Sequence, residues 1–270
     1  MKKFYIITNL LKDTTLETTQ RIKGYIEEHG GECVVATPER ILPEGTECVL
    51  VLGGDGTLIR AARDMHHYDV PLLGINMGTL GYLTEVELQN VEEALSRLFE
   101  GDIQVERRMM LAGTINDVRE EVAFNDVVIT RFGVLRVIHF KLYVNGELLN
   151  SYHADGMIVS TPTGSTAYNL SAGGPIVEPT ASMIVVTPIC SHALNTSSIV
   201  LSADDEIMIE IMPDREGNEQ TVGVSFDGEC NLELKTGDRV VIRKSQSETE
   251  LLKLSDISFL ERMRRKMKGN

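Results

Sequence analysis

The chain has 270 residues, 42% hydrophobic and 24% charged, and its 26 basic and 40 acidic residues give a formal net charge of -14. That length suits one large domain or two modest ones, each with its own core. The acidic balance argues against nucleic acid or an anionic membrane as a partner, and no apolar stretch approaches the roughly 18 residues of a membrane span.

The start, Met1-Lys2-Lys3-Phe4, leads into a strand pattern rather than a signal peptide. Cys33, Cys48, Cys190 and Cys230 form no Cys-x-x-Cys pair. A cytoplasmic protein with buried free thiols, no disulfide framework and no zinc site is expected.

The first hundred residues alternate between strand and helix patterns. Residues 4–7 read as a strand, 16–28 as an amphipathic helix ended by Gly30-Gly31, and 32–36 as a second strand. Residues 48–52 are a third strand, 57–65 a helix, 71–75 a fourth strand and 91–99 a last helix before Gly101. Continuous apolar strands separated by helices imply a parallel sheet covered on both faces. Ligands of such sheets lie beyond the carboxyl ends of the strands, the edge where Gly53-Gly54-Asp55-Gly56-Thr57 and residues 76–81 both fall.

The glycines of that pentapeptide let backbone N–H groups come close to phosphate oxygens, and the helix that follows points its positive end at the same place. Asp55 is the odd residue, because its charge repels phosphate. Three roles are open to it: taking a proton from a hydroxyl, holding a metal ion, or capping the helix.

From about residue 103 the texture changes to short strands, at 121–130, 137–144, 157–160, 184–187, 206–211, 222–226 and 240–244, with a hairpin turn at Val144-Asn145-Gly146-Glu147. A mostly β, sandwich-like domain is expected. Residues 255–266 resemble a capped helix with cations in its last turns, packing back on the first domain. Arg107-Arg108 and the basic run from Arg262 to Lys268 read as solvated faces, and His66-His67 as a solvated helix end. His192 reads equally as a turn residue or a ligand contact.

The boundaries expected are therefore 1–100 for an α/β domain, 101–254 for a β-rich domain and 255–270 for the returning helix. Within the β-rich part, the segment from Asp155 to Pro175, DGMIVSTPTGSTAYNLSAGGP, carries hydroxyls at 160, 161, 163, 165 and 166. That density of small hydroxyl residues reads as a polar loop that a ligand can approach closely.

Three motifs together resemble the NAD kinase family: the Gly-Gly-Asp-Gly-Thr loop at 53–57, the Asn125-Asp126 pair, and the 155–175 segment. The loops at 74–84 and 187–192 match in character and order, and the similarity covers nearly the whole chain. The resemblance implies phosphoryl transfer from ATP or inorganic polyphosphate to the adenosine ribose 2′-hydroxyl of NAD. Mg²⁺ would be brought with the donor, no metal would be held by the protein alone, and the protein would be a homo-oligomer, dimer or tetramer.

It further implies that Asp55 is the general base with Gly56 its backbone partner at the ribose, and that Asn125 and Asp126 bind that ribose. Asp155 would contact the nicotinamide end. Thr166, Ala167, Tyr168, Asn169, Leu170 and Ser171 would line the dinucleotide site, with Tyr168 stacking on it, and Arg60, Arg136 and His153 fall at basic or polar contact positions. Asp126 stands where Glu is usual and Glu229 where many members have Gln, which leaves a contact at 229 open. A lipid kinase sharing the glycine loop and a non-catalytic NAD-binding sensor are the alternative readings.

Overall fold

The computed structural model describes residues 1–78, 81–131, 137–191, 197–255 and 257–267; of these, the side chains at 230, 231, 265 and 267 are not described. The chain divides into two compact units, Met1–Arg107 with Thr249–Asn270, and Arg108–Glu248.

In the first unit the strands β1 (Lys3–Thr8), β2 (Glu32–Val35), β3 (Cys48–Gly53) and β4 (Leu72–Asn76) pair in the order β2-β1-β3-β4, all parallel. The short β5 (Val86–Glu87) adds to β4. The far end of the last strand of the chain, Arg239–Lys253, also runs parallel to β4, with Leu251 beside Leu72. Helices α1 (Glu17–Glu28), α2 (Asp55–Asp64) and α3 (Val91–Glu100) follow β1, β3 and β5. Every residue of β3 and β4 is buried, as a parallel sheet covered on both faces requires.

Asp13 is buried and starts α1, accepting N–H bonds from Thr18 (3.2 Å) and Thr19 (2.8 Å). α3 ends on Gly101, whose φ of 78° is the left-handed closure that glycine adopts without strain. The C-terminal helix α5 (Phe259–Met267) belongs to this unit. There the reading of a solvated basic tail is corrected at Arg262, which is buried.

The second unit is built from antiparallel strands. They are β6 (Gln104–Ile115), β7 (Arg119–Ala123), β8 (Asp126–Arg131), β9 (Ile138–Val144), β10 (Glu147–Ala154), β11 (Gly156–Ser160), β12 (Met183–Ile189), β13 (Ile199–Ser202), β14 (Ile207–Ile211), β15 (Thr221–Phe226), β16 (Glu229–Lys235) and β17 (Arg239–Lys253), with β6 starting and β17 ending in the first unit. One layer runs β10-β9-β14-β17 with β6 and β7 attached, the other β13-β12-β11-β8-β15-β16.

Alternate residues of facing strands, such as Phe140 and Leu142 against Val127 and Ile129, share one apolar cluster. That alternation is the mark of two sheets packed face to face. Asn145 and Gly146, at φ 50° and 81°, make the hairpin between β9 and β10 as the sequence predicts.

Three sequence readings change here. The strand predicted at 121–130 is interrupted at Phe124-Asn125, the one predicted at 240–244 runs on to Lys253, and Arg108 is buried rather than solvated. Cys33 and Cys48 are buried, and burial pushes the Cys33 thiol up to about 12, whereas Cys190 is exposed.

Candidate active site

In the first unit, three loops leave the sheet at one edge. Thr8 lies beside Leu52 and Gly53 beside Asn76 in register, so the chain following β1, β3 and β4 emerges together. Backbone bonds tie these exits: Asn9 N–H to the Leu52 carbonyl (2.8 Å) and Met77 N–H to the Gly53 carbonyl (2.7 Å). The Asn9 side-chain amide adds a bond to Thr57 Oγ1 (3.1 Å).

Helix α2 begins at Asp55, two residues before the sequence pattern predicts, because Gly54 at φ -133° and ψ -172° serves as the extended residue before the helix. Asp55 therefore sits inside the first turn and does not cap it. Its carboxylate instead accepts three backbone N–H groups of a neighbouring loop: Tyr82 on Oδ2 (2.7 Å), and Leu83 (3.1 Å) and Thr84 (3.2 Å) on Oδ1. Gly81 makes this grip possible, since a Cβ at Gly81 would stand 1.9 Å from Asp55 Oδ1.

A positive charge stands at these glycine loops, that of Lys12. Its Nζ lies 3.0 Å from where a Cβ of Gly78 would be and 3.4 Å from that of Gly54. Gly56 and Arg60 are exposed on the first turns of α2.

In the second unit, Asn125 and Asp126 are buried at the start of β8, beside the opening of the 155–175 segment. Asp126 pairs with Ser160 in register, Thr161 N–H bonds the Asn125 carbonyl (2.8 Å) and Thr161 Oγ1 the Phe124 carbonyl (2.8 Å). Gly164 passes so close that a Cβ there would meet the Asn125 carbonyl oxygen at 2.2 Å.

From the β15–β16 turn, Asp227 at φ 54° reaches back and accepts the N–H groups of Phe124 (2.8 Å), Asn125 (2.7 Å) and Asp126 (3.2 Å). Burial, and then the Asp227 charge, push the Asp126 carboxyl up to about 7. The Asn125 Oδ1 atom is buried and has no hydrogen-bond partner among the described residues.

Beyond a 3-10 turn at Thr163–Thr166, the short helix α4 (Tyr168–Ser171) leaves Tyr168, Leu170 and Ser171 exposed, with Thr166 and Ala167 half-buried before it. Asn169 points the other way: its amide donates to the Ser165 (3.0 Å) and Pro175 (2.9 Å) carbonyls and accepts from Thr187 Oγ1 (2.6 Å). Asp155 pairs with Arg131 at 3.0 Å. His153 lies in β10, on the layer opposite the Asn125 strand, stacked on His139 with ring centroids 4.2 Å apart. Arg136 and His192 lie outside the described residues.

Lys12, Asp227 and Arg108, which donates to Thr163 Oγ1 at 3.2 Å, are not among the site residues that the sequence suggests. Only Asp227 carried a local signal, the Asp-Gly turn after an apolar strand.

A helix N-terminus and a cation at glycine loops beyond a parallel sheet are the working parts of a phosphate site, and the similarity to known proteins puts the chain among the kinases. The model of the ATP-NAD kinase N-terminal domain matches residues 35–103, and that of the ATP-NAD kinase C-terminal domain residues 124–254. The chain belongs to the NAD kinase family. It is 48% identical to the NAD kinase of Lachnospira eligens, across 99% of this chain and 100% of that one, and 48% identical to the NAD kinase of Agathobacter rectalis, across 100% and 99%. Two solved structures share the fold: yeast NADH kinase complexed with NADH (TM-score 0.87, 23% identity, 100% of this chain and 88% of that one) and an Archaeoglobus fulgidus NAD kinase in complex with ATP (TM-score 0.79, 24% identity, 98% and 97%).

Proposed function

We propose that the chain transfers the terminal phosphoryl group of ATP, or of inorganic polyphosphate, to the 2′-hydroxyl of the adenosine ribose of NAD, giving NADP, with Asp55 as general base. The observation that carries this reading is the Asp55 carboxylate, fixed by three N–H groups at the start of α2. Of the roughly four lone-pair positions of a carboxylate, those bonds use three and leave one on Oδ2 for a hydroxyl proton. The hydroxyl oxygen attacks the terminal phosphorus, its proton passes to Oδ2, and the bond from that phosphorus to the rest of the donor breaks. In a loose transition state the proton moves late, so orienting the hydroxyl is as much the task of Asp55 as accepting the proton.

The 101–254 domain binds the dinucleotide in this reading. Asn125 and Asp126 hold the adenosine ribose, where a ligand hydroxyl would satisfy Asn125 Oδ1. Asp155 meets the nicotinamide end, and Thr166, Ala167, Tyr168, Leu170 and Ser171 form the wall, with Asn169 holding its shape from inside. Gly56, Arg60, Arg136 and His153 are further contacts by resemblance, and Lys12 meets the donor phosphates. Among the described residues no three His, Cys, Asp or Glu side chains converge as metal ligands. Mg²⁺, which is commonly bound largely through substrate phosphates, would enter with the donor and offset its charge. The family resemblance also carries a cytoplasmic homo-oligomer.

Incubating the protein with NAD, Mg²⁺ and either ATP or polyphosphate, and measuring NADP, tests this directly. NADP formed from one donor and not the other assigns the donor. Binding of NAD without NADP from any donor leaves a sensor, and phosphorylation of diacylglycerol or sphingosine instead would make the chain a lipid kinase.

A further inference from the structure

The loop that grips Asp55 is itself gripped from its other side. Tyr82 and Thr84 give their N–H groups to the Asp55 carboxylate, and their carbonyls accept from Arg262 Nη1 of α5, at 3.1 and 3.0 Å. The second guanidinium nitrogen, Nη2, pairs with Glu85 at 2.8 Å. Arg262 is 8% exposed and the Glu85 side chain 2% exposed.

Glu85 gathers the rest of this corner, accepting from Lys253 Nζ (2.7 Å) and from the N–H groups of Leu254 (3.2 Å) and Ser255 (2.8 Å). Burial alone would raise its carboxyl, but the bonds from Lys253 and Ser255 and the Lys253 charge hold it below the usual range. A buried cation is thus neutralised, and its planar fork reaches two loop carbonyls with Nη1 and Glu85 with Nη2.

We propose that Arg262 is a positioning residue for Asp55: by holding the carbonyl of Tyr82, which shares a peptide unit with the Leu83 N–H, it aims that N–H at the carboxylate, and through the Thr84 carbonyl it anchors the far end of the loop. This rests on the reading of Asp55 as the base. The Tyr82–Leu83 peptide unit is planar, so tethering its carbonyl restricts its rotation and with it the N–H that Leu83 gives to Asp55 Oδ1 at 3.1 Å. A one-ångström drift of a catalytic group is enough to cost on the order of 10²-fold in rate.

Steady-state kinetics on four variants test the proposal. Arg262→Ala lowers kcat about 10-fold or more with KM for NAD within about twofold, because the loss lies in orientation rather than in substrate contacts. Arg262→Lys recovers part of it, since one ammonium cannot meet Glu85 and both carbonyls together as the two guanidinium nitrogens do. Lys253→Met disturbs the same ion pairs without touching either carbonyl, and leaves kcat within about twofold. In Arg262→Ala with Asp55→Asn, kcat is no lower than in Asp55→Asn alone, because the two residues act as a unit.

Wild-type kcat in Arg262→Ala, or losses that multiply in the double variant, overturns the proposal. Equal loss in Lys253→Met reduces Arg262 to a structural ion pair and overturns it as well. Full activity in Asp55→Asn removes the base reading and the proposal with it. Where Arg262→Ala gives no folded protein, Arg262→Lys carries the same comparisons.

Discussion

The carboxylate of Asp227 accepts the backbone N–H of Asn125 at 2.7 Å, the shortest of three such bonds that span residues 124 to 126. The result is an unequal pair of acids. Asp227 has donors for its charge, while Asp126, buried beside it, is pushed up to about 7 by burial and by that neighbouring charge. A single turn residue thereby holds the backbone of the Asn-Asp pair and adds its charge to the burial that raises the carboxyl of the second member.

Asp227→Ala leaves three N–H groups without their acceptor. Unsatisfied buried donors cost about 1 to 3 kcal/mol each; these three bonds are only part-buried, so water replaces some of the lost acceptor and a loss of roughly 2 to 4 kcal/mol in total is expected in denaturant unfolding. With the Asn125–Asp126 backbone released, KM for NAD rises about 10-fold, more than that for the donor. Unchanged KM with lowered stability would confine Asp227 to folding.

The raised carboxyl of Asp126 makes stability depend on pH with a definite sign. The folded protein keeps the proton up to about 7, whereas the unfolded chain loses it near the reference value of 3.8. The stabilisation is complete below about 4 and is lost as pH rises through about 7. That interval corresponds to roughly 4 kcal/mol at most. Asp126→Asn removes the dependence, so its stability relative to the wild type increases from pH 4 to 7 and then levels off. Urea unfolding of both proteins at pH 4.5, 6 and 8 checks this; a constant difference would sink it.

Gly81→Ala places a methyl group against the Asp55 carboxylate, 1.9 Å from Oδ1 by the present backbone. The loop or the acid must move. Asp55→Asn is expected to lower kcat by at least about 10², with NAD affinity nearly unchanged, and Gly81→Ala by at least about 10-fold with the same pattern. An active Gly81→Ala protein would mean that the three N–H bonds to Asp55 do not matter for turnover.

Lys12→Ala removes the cation nearest Gly54 and Gly78. KM for ATP or polyphosphate is expected to rise several-fold, and that for NAD to change little. The effect should shrink at high salt, as interactions of exposed charges do. Equal rises for both substrates would show that Lys12 does not favour the donor.

Much of the first unit was legible because its strands are continuous apolar runs, as at Val49 to Leu52, and its helices have a wet face. The start of α2 was not, since Gly-Asp-Gly has poor helix propensity and only the sheet edge and the loop at 82–84 hold it in place. The break at Phe124-Asn125 has no glycine or proline to mark it; the residue that imposes it, Asp227, lies 102 positions from Asn125.

The continuation of β17 past Lys244 was hidden by Ser245-Gln246-Ser247-Glu248, a polar run that reads as a loop. Arg262 looked like one of several solvated cations because its acid partner is 177 positions away. The glycine loop, the Asn-Asp pair and the 155–175 segment could be found by inspection; the partners that hold the first two, such as Arg262 and Asp227, lie too far along the chain for a local pattern to connect them.

The first unit takes strands from both ends of the chain, and this gives its assembly an order in time. On a ribosome adding roughly 5 to 20 residues per second, Glu85 emerges long before Lys253 and Arg262, its ion-pair partners 168 and 177 positions later. For about 10 to 30 seconds the nascent N-terminal half carries a carboxylate that has no cation to bury it. The whole of Arg108–Glu248 is made before that corner can close, so the part of the enzyme that carries Asp55 is the last to be finished.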